Sequence, residues 1–272
     1  MSKLRRGWEI RREEGILPLI IKSTEFVRTK IQNILWPRYY TIKSSVFGNY
    51  IVHINDILID LDDEVYSPAM KKRLRRKNYE PAEAKFINKY ICRDQPIIDL
   101  GAGIGYTTCL VDRNTDNSIP IVAVEANKSL ISVINRTKKL NKGNFNVLYS
   151  AYDSENNSVD FQIAEDFWSS SQQDRKDKNQ TEVTVPAISL NEVIKKYDLK
   201  SPIQLVVDIE GGEHDLFANE HHILQKKISL IIFEYHSFAN EELEYYSDIL
   251  EESGFEFVES QGNVYVHRNT NI

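Results

Sequence analysis

Apolar and polar positions alternate along this chain with two different periods, and the change from one to the other marks its organisation. From Leu19 to Trp36 the residues Ile20, Val27, Ile31, Ile34 and Leu35 recur at helical spacing. Pro37 ends that pattern, because the residue before a proline avoids helical backbone. Residues 47–61 then show β-branched alternation broken at Gly48-Asn49 and Asn55-Asp56, which predicts short strands joined by turns. Pro81 fits the first position of a helix whose apolar face is Ala84, Phe86, Ile87, Tyr90 and Ile91.

From residue 95 the texture changes. Apolar runs of strand length at 96–100, 119–125, 145–149, 203–209 and 228–234 alternate with helical patterns, as a parallel sheet covered on both faces requires. Runs at 255–258 and 264–267 flank Ser260-Gln261-Gly262-Asn263, which predicts a hairpin adding antiparallel strands at the sheet edge. Residues 169–181 contain no apolar side chain and read as an exposed, mobile loop. The fold class expected is α/β: a doubly wound, Rossmann-like sheet with an antiparallel C-terminal hairpin and an N-terminal cap of helix and short strands. The cap is placed at residues 1–80 and the main domain at 81–272.

Composition narrows the class without naming it. The chain has 272 residues with 41% apolar and 27% charged side chains, which excludes collagen-like, low-complexity and wholly disordered classes. Forty acidic residues stand against 34 basic ones, for a net charge of −6. The first 43 residues run the other way, with ten Lys/Arg and four Glu. Two cysteines, Cys92 and Cys109, have no metal-ligand spacing and suit a reducing compartment. The longest early apolar run, Ile16 to Ile21, is far shorter than the ~20 residues of a membrane span. The start does not read as a secretory signal, since Glu9, Glu13 and Glu14 interrupt its basic region. A cytoplasmic protein is expected.

The candidate chemistry begins where the first parallel strand ends. Ile97-Ile98-Asp99-Leu100-Gly101-Ala102-Gly103-Ile104-Gly105-Tyr106 runs from an apolar strand through three glycines into a helix, so the backbone can pass close to a ligand. Glu125 ends the next strand, where a carboxylate can accept hydrogen bonds from ribose hydroxyls. A dinucleotide fingerprint needs Gly-x-Gly-x-x-Gly, whereas the spacing here is Gly-x-Gly-x-Gly. Asp99, two residues before the first glycine, would repel a pyrophosphate and suits the cationic, amino-acid end of S-adenosylmethionine (AdoMet), directly or through water. A second strand end, Asp208-Ile209-Glu210-Gly211-Gly212-Glu213-His214-Asp215, gathers carboxylates that are costly to crowd unless they meet cations, donors or a substrate. Glu213 and Asp215 can equally be first-turn acids of a helix, which the helix dipole favours.

Taken together, these residues resemble the FkbM-type AdoMet-dependent methyltransferases. The resemblance rests on Asn78-Tyr79-Glu80-Pro81, on residues 99–107, on Val124-Glu125-Ala126-Asn127, on residues 208–213, and on Phe233-Glu234-Tyr235-His236. One departure is Val206, where the family often has lysine; Gly212, where it often has alanine, is a smaller one. The resemblance implies the seven-strand methyltransferase sheet and methyl transfer to an oxygen, in many members a sugar or polyketide hydroxyl. Asp99, Gly101, Ala102, Gly103, Gly105, Tyr106, Glu125 and Ala126 would hold AdoMet, with Ala151 and Tyr152 near its adenine. Asp208, Glu210 and His236 would face the acceptor, one of them as base. Asp208, Glu210 and His236 could also offer ligands to Mg²⁺, although no spacing demands it and a metal-free reaction is expected.

Two other functions compete. A nicotinamide-dependent oxidoreductase is disfavoured by the glycine spacing, and a non-catalytic AdoMet-binding module would keep the cofactor residues alone. The partners expected are a small-molecule or glycan acceptor, lipid-linked acceptors included, and no nucleic acid. The run Lys71 to Lys77, six of seven residues basic, reads as a solvated helix face or a phosphate site. Residues 1–43 suit either peripheral contact with the inner membrane face or docking on the core or on a second subunit, and docking is preferred because Pro18 interrupts the apolar run.

Overall fold

In the computed structural model, the residues described are 50–163, 181–236 and 243–272. The helix expected over 19–36 lies outside them, as do residues 169–180 of the polar loop and all of the basic segment 1–43. The chain divides into two compact units, Met1–Ile51 and Val52–Ile272. That division falls some thirty residues before the expected boundary at 80, because residues 52–80 share the core of the second unit. Strands β1 (Ile51–Ile54) and β2 (Ile57–Asp60) form a hairpin whose turn residues, Asn55 and Asp56, take φ of 46° and 65°. Left-handed backbone at both turn positions is what a two-residue hairpin needs. Ile57, Ile59 and Leu61 are buried, as are Met70 and Leu74 of helix α1 (Pro68–Arg75).

Seven strands make the main sheet: β3 (Ile97–Leu100), β4 (Ile121–Glu125), β5 (Asn146–Tyr149), β9 (Ile203–Val207), β10 (Ile228–Glu234), β11 (Phe255–Gln261) and β12 (Val264–Asn269). Their order is β11-β12-β10-β9-β3-β4-β5. All five parallel runs and the hairpin stand where the sequence pattern places them. The hairpin is sharper than expected: β12 pairs antiparallel with β10, and β11 pairs antiparallel with β12. Only β12 therefore runs against the rest, one position in from the edge.

Alternation along the strands sends neighbouring side chains to opposite faces. Ile97 joins one core with Phe86, Ile104 and Ile134, while Ile98 joins another with Leu216, Phe217 and Leu250. Helices α2 (Pro81–Tyr90), α3 (Tyr106–Asn114) and α4 (Lys128–Asn141) cover the first face. Helices α5 (Leu190–Lys196), α6 (Glu213–Asn219), α7 (His221–Lys227) and α8 (Leu243–Glu252) cover the second. A smaller sheet of β6 (Ala151–Tyr152), β7 (Ser158–Ile163) and β8 (Thr181–Ile188), in the order β6-β8-β7, has no counterpart in the sequence reading. Pro186 within β8 obscures it, since proline in a run argues against a strand; here it faces Ser158 across the ladder. Among the described residues no helix is long and apolar enough to cross a membrane.

Candidate active site

Strand register brings the motifs to one place. Leu100 pairs with Val124 of β4 and with Val207 of β9, so three strands end level, and their next residues open at the same sheet edge. Gly101 N–H donates to the Val124 carbonyl at 3.0 Å and Asp208 N–H to the Leu100 carbonyl at 2.8 Å, which locks the strand ends together. Phe233 of β10 pairs with Val207, placing Glu234 and His236 beside Asp208. A cavity opens here, walled by Gly101, Gly103, Glu125 and Ala126 on one side and by Asp208 and Glu210 on the other.

Glu125 ends β4 buried, its Oε2 accepting from Gly103 N–H at 2.8 Å and its Oε1 from Asn127 N–H at 2.7 Å. Burial pushes its carboxyl up to about 7, against those two backbone donors. Gly103 takes φ of +53°, and a Cβ placed there would meet only the Tyr79 hydroxyl, at 3.5 Å, so its backbone is open to a ligand. The donor set and the open glycine fit an adenosine-bearing ligand whose ribose meets Glu125.

Several residues assigned to the cofactor from sequence do not line the cavity. Asp99 is 1% exposed, and its Oδ2 accepts from Thr108 Oγ1 and, at 3.2 Å, from Thr107 Oγ1. It ties the strand to the start of α3 and does not line the cavity; burial raises its carboxyl to about 6. Ala102 is buried as well. Gly105 caps α3 at φ of +78°, with Ile134 packed where its side chain would be. Tyr106 is buried, and its hydroxyl accepts from Asn55 Nδ2 at 2.8 Å. Ala151 is buried in β6, and the Tyr152 hydroxyl donates to Glu220 Oε2 at 3.0 Å. Ser150, one residue earlier, lines the cavity instead.

The three acceptor-side candidates do converge. His236 Nδ1 donates to Glu213 Oε1 at 2.7 Å, which turns Nε2 toward Asp208 Oδ1 at 3.5 Å and Glu210 Oε1 at 3.9 Å. Glu213 is held in turn by Gly211 N–H at 2.8 Å, so the first-turn acid of α6 is also the group that orients the histidine. Glu210 takes left-handed backbone, φ 49°, and lines the cavity. Burial and the carboxylates of Glu234, Glu80, Glu210 and Glu83 push Asp208 well above the usual carboxylate range. Burial alone would lower His236; the hydrogen bond it donates to Glu213 and the charges of Glu213, Glu210 and Glu234 outweigh it and raise the imidazole instead. Behind them burial and the charge of Glu234 raise Glu80 to about 7, and burial and the charge of Glu80 raise Glu83 to about 8.

One ligand atom from each of Asp208, Glu210 and His236 lies within 4.8 Å of the other two, and Glu80, Glu83 and Glu234 make a second such group. Both offer donors of the types magnesium or manganese takes, without requiring an ion. Sequence reasoning gave no site role to Glu80, Glu234 or Arg73, all of which line the cavity, and left Glu213 open between site and helix acid. Glu213 has a local explanation as a helix acid. Glu80 and Glu234 stand inside quoted motifs, but only the fold turns them into one cavity.

Comparison with known proteins adds the following. Residues 99–265 match the model of the methyltransferase FkbM domain. No curated protein matches the chain significantly. Similar solved structures include a precorrin-6y C5,15-methyltransferase from Geobacter metallireducens, at 15% identity and TM-score 0.44, covering 77% of this chain and 95% of that one. A TehB-like SAM-dependent methyltransferase from Corynebacterium glutamicum shares 12% identity at TM-score 0.42, over 74% of this chain and 95% of its own. A methyltransferase from Geobacter sulfurreducens shares 13% at TM-score 0.43, over 76% and 90%.

Proposed function

The chain belongs to the FkbM family of AdoMet-dependent methyltransferases, and from that premise we propose that it methylates a hydroxyl oxygen of a sugar or glycan acceptor. The observation that carries the choice of oxygen is the Glu213–His236–Asp208 arrangement at the cavity wall, a proton path of the kind a hydroxyl nucleophile needs. When bound, AdoMet supplies the electrophilic methyl group. The chain's own residues do the rest. Asp208, which lines the cavity, accepts the acceptor hydroxyl's hydrogen bond and takes its proton as charge leaves the oxygen. His236 Nε2, 3.5 Å away, receives that proton, and Glu213 stabilises the resulting imidazolium through Nδ1. Glu210 holds a neighbouring hydroxyl and so fixes which oxygen faces the methyl group. A polyol suits a wall of carboxylates because each hydroxyl is a donor; a phosphorylated or carboxylated face would be repelled.

The test is mass spectrometry of cellular glycans with and without the gene. A loss of about 14 Da, one added CH₂, from a glycan is the expected result; glycans of unchanged mass beside an altered small-molecule or protein pool would refute the acceptor assignment.

Cofactor binding should depend on pH in a stated direction. Ribose hydroxyls donate to the ionised Glu125, whose carboxyl stands at about 7 in the free protein. Affinity for AdoMet therefore falls as pH drops below 7, and binding near neutrality releases a proton. Calorimetry in buffers of different ionisation enthalpy reads that proton directly. Glu125→Gln should weaken AdoMet by roughly tenfold or more, for loss of charged hydrogen bonds, and flatten the pH profile; an unchanged profile in the variant would show that another group titrates.

A further inference from the structure

Asp99, sealed under Thr107 and Thr108, leaves the amino-acid end of the cofactor without the partner that sequence reading gave it. The opposite wall of the cavity has a replacement. Of the six cations in the run 71–77, Arg73 is the one that lines the cavity. Its Nε donates to the Asn78 carbonyl at 3.1 Å, and its guanidinium carbon stands 5.8 Å from the centre of the Tyr79 ring. That leaves the outer fork of the guanidinium, which makes no ion pair with a described residue, available for a carboxylate. Tyr79 is buried, with its hydroxyl over Gly103 of the glycine loop, so this wall belongs to the cofactor side. Next in the chain after Tyr79, Glu80 also lines the cavity. Its φ of 40° and ψ of 55° are left-handed, a costly backbone for a residue that is not glycine and that precedes a proline. That backbone delivers a carboxylate to the cavity one residue beyond the ring that carries the arginine.

A cation and an anion lining one cavity beside the same tyrosine match the two charges of an α-amino acid. We propose that Arg73 and Glu80 hold the carboxylate and the ammonium of the methionyl group of AdoMet, a reading that rests on AdoMet being the ligand. An anion on the acceptor is the other source of a carboxylate for Arg73. It would have to sit among Glu80, Asp208, Glu210 and Glu234, all lining the same cavity, with no ammonium of its own to offset them. The methionyl end brings both charges together and meets no net repulsion.

Calorimetry with three ligands tests the assignment: AdoMet, decarboxylated AdoMet, which lacks only the carboxylate, and 5′-methylthioadenosine, which lacks the amino-acid end. The intact protein should bind AdoMet about tenfold or more tighter than decarboxylated AdoMet. Arg73→Gln should erase that preference and leave 5′-methylthioadenosine binding unchanged. Glu80→Gln should weaken both sulfonium ligands alike, since both keep the ammonium. Thermal melts of each variant establish that it is folded. An Arg73→Gln protein that still prefers AdoMet tenfold overturns the proposal, whether or not its acceptor affinity falls; a fall would assign the arginine to the acceptor. An intact protein that binds neither AdoMet nor 5′-methylthioadenosine overturns the cofactor reading itself, and this inference with it.

Discussion

Asp208→Asn should lower methyl transfer by about 10²–10⁴-fold, the range expected when a positioned base is removed, while AdoMet affinity stays within about threefold. The substitution keeps the side chain's size and the backbone hydrogen bond from Asp208 N–H to Leu100, so the strand ends remain joined. It also removes a negative charge from a group crowded by Glu234, Glu80 and Glu210. Thermal stability should therefore hold or rise, which separates a catalytic loss from a structural one. The experiment pairs transfer of labelled methyl from AdoMet to a glycan fraction with calorimetry and a melt of the same preparation. If activity and AdoMet affinity fall together, Asp208 belongs to cofactor binding. If activity survives, the proton goes elsewhere and Glu210 becomes the candidate base.

Gly101→Ala should be the most damaging small substitution in the molecule. The added Cβ would lie 1.7 Å from the Asp208 carbonyl oxygen and 2.6 Å from its carbon, and Gly101 has φ of +86°. Neither partner can turn aside, since both are backbone. They are held by Gly101 N–H on Val124 and Asp208 N–H on Leu100, so relief requires parting β3 from β9 at the sheet edge. We expect a loss of at least about 3 kcal/mol, with AdoMet binding lost as Glu125 and Asp208 move apart. Gly103→Ala is the control within the same loop: its Cβ meets one hydroxyl at 3.5 Å, so only the left-handed backbone opposes it. About 1–2 kcal/mol is expected there. Denaturant unfolding of the two variants decides it, and equal stabilities would mean that the β3 and β9 ends separate easily.

These two substitutions also show where sequence reading reaches and where it stops. Gly101 is visible from sequence as a glycine that something requires, but the requirement is a carbonyl more than a hundred residues away. Asp99 is the converse case. Its place before the glycines suggests a ligand, yet it is buried and held by two threonines in the first turn of α3. Tyr106, Ala151 and Tyr152 likewise do not line the cavity, because proximity in the chain says which strand end a residue is near but not which way its side chain turns. Glu213 reads as an ordinary first-turn acid until His236, brought in from β10, is found on its Oε1.

The unequal charge along the chain has a structural sequel in the described part. Acidic residues concentrate on the cavity wall, and Arg73 is the one member of the basic run placed there. The other cations of that run lie on or just beyond α1, mostly exposed, as on a solvated helix face.

By itself, the sequence determined the seven strands, the reversed hairpin, the glycine loop and the family, because all of these are written in local periodicity and short motifs. Period-2 runs, turn residues and helix starts act over a few residues and need no knowledge of the rest. Tertiary structure alone decided which carboxylates meet. Asp208, Glu210, Glu213, Glu234, His236, Glu80 and Arg73 come from four separate stretches of chain, and parallel pairing in register gathers them at or beside one opening. A side chain's work depends on its burial and its partners, and those are fixed only when the strands are side by side.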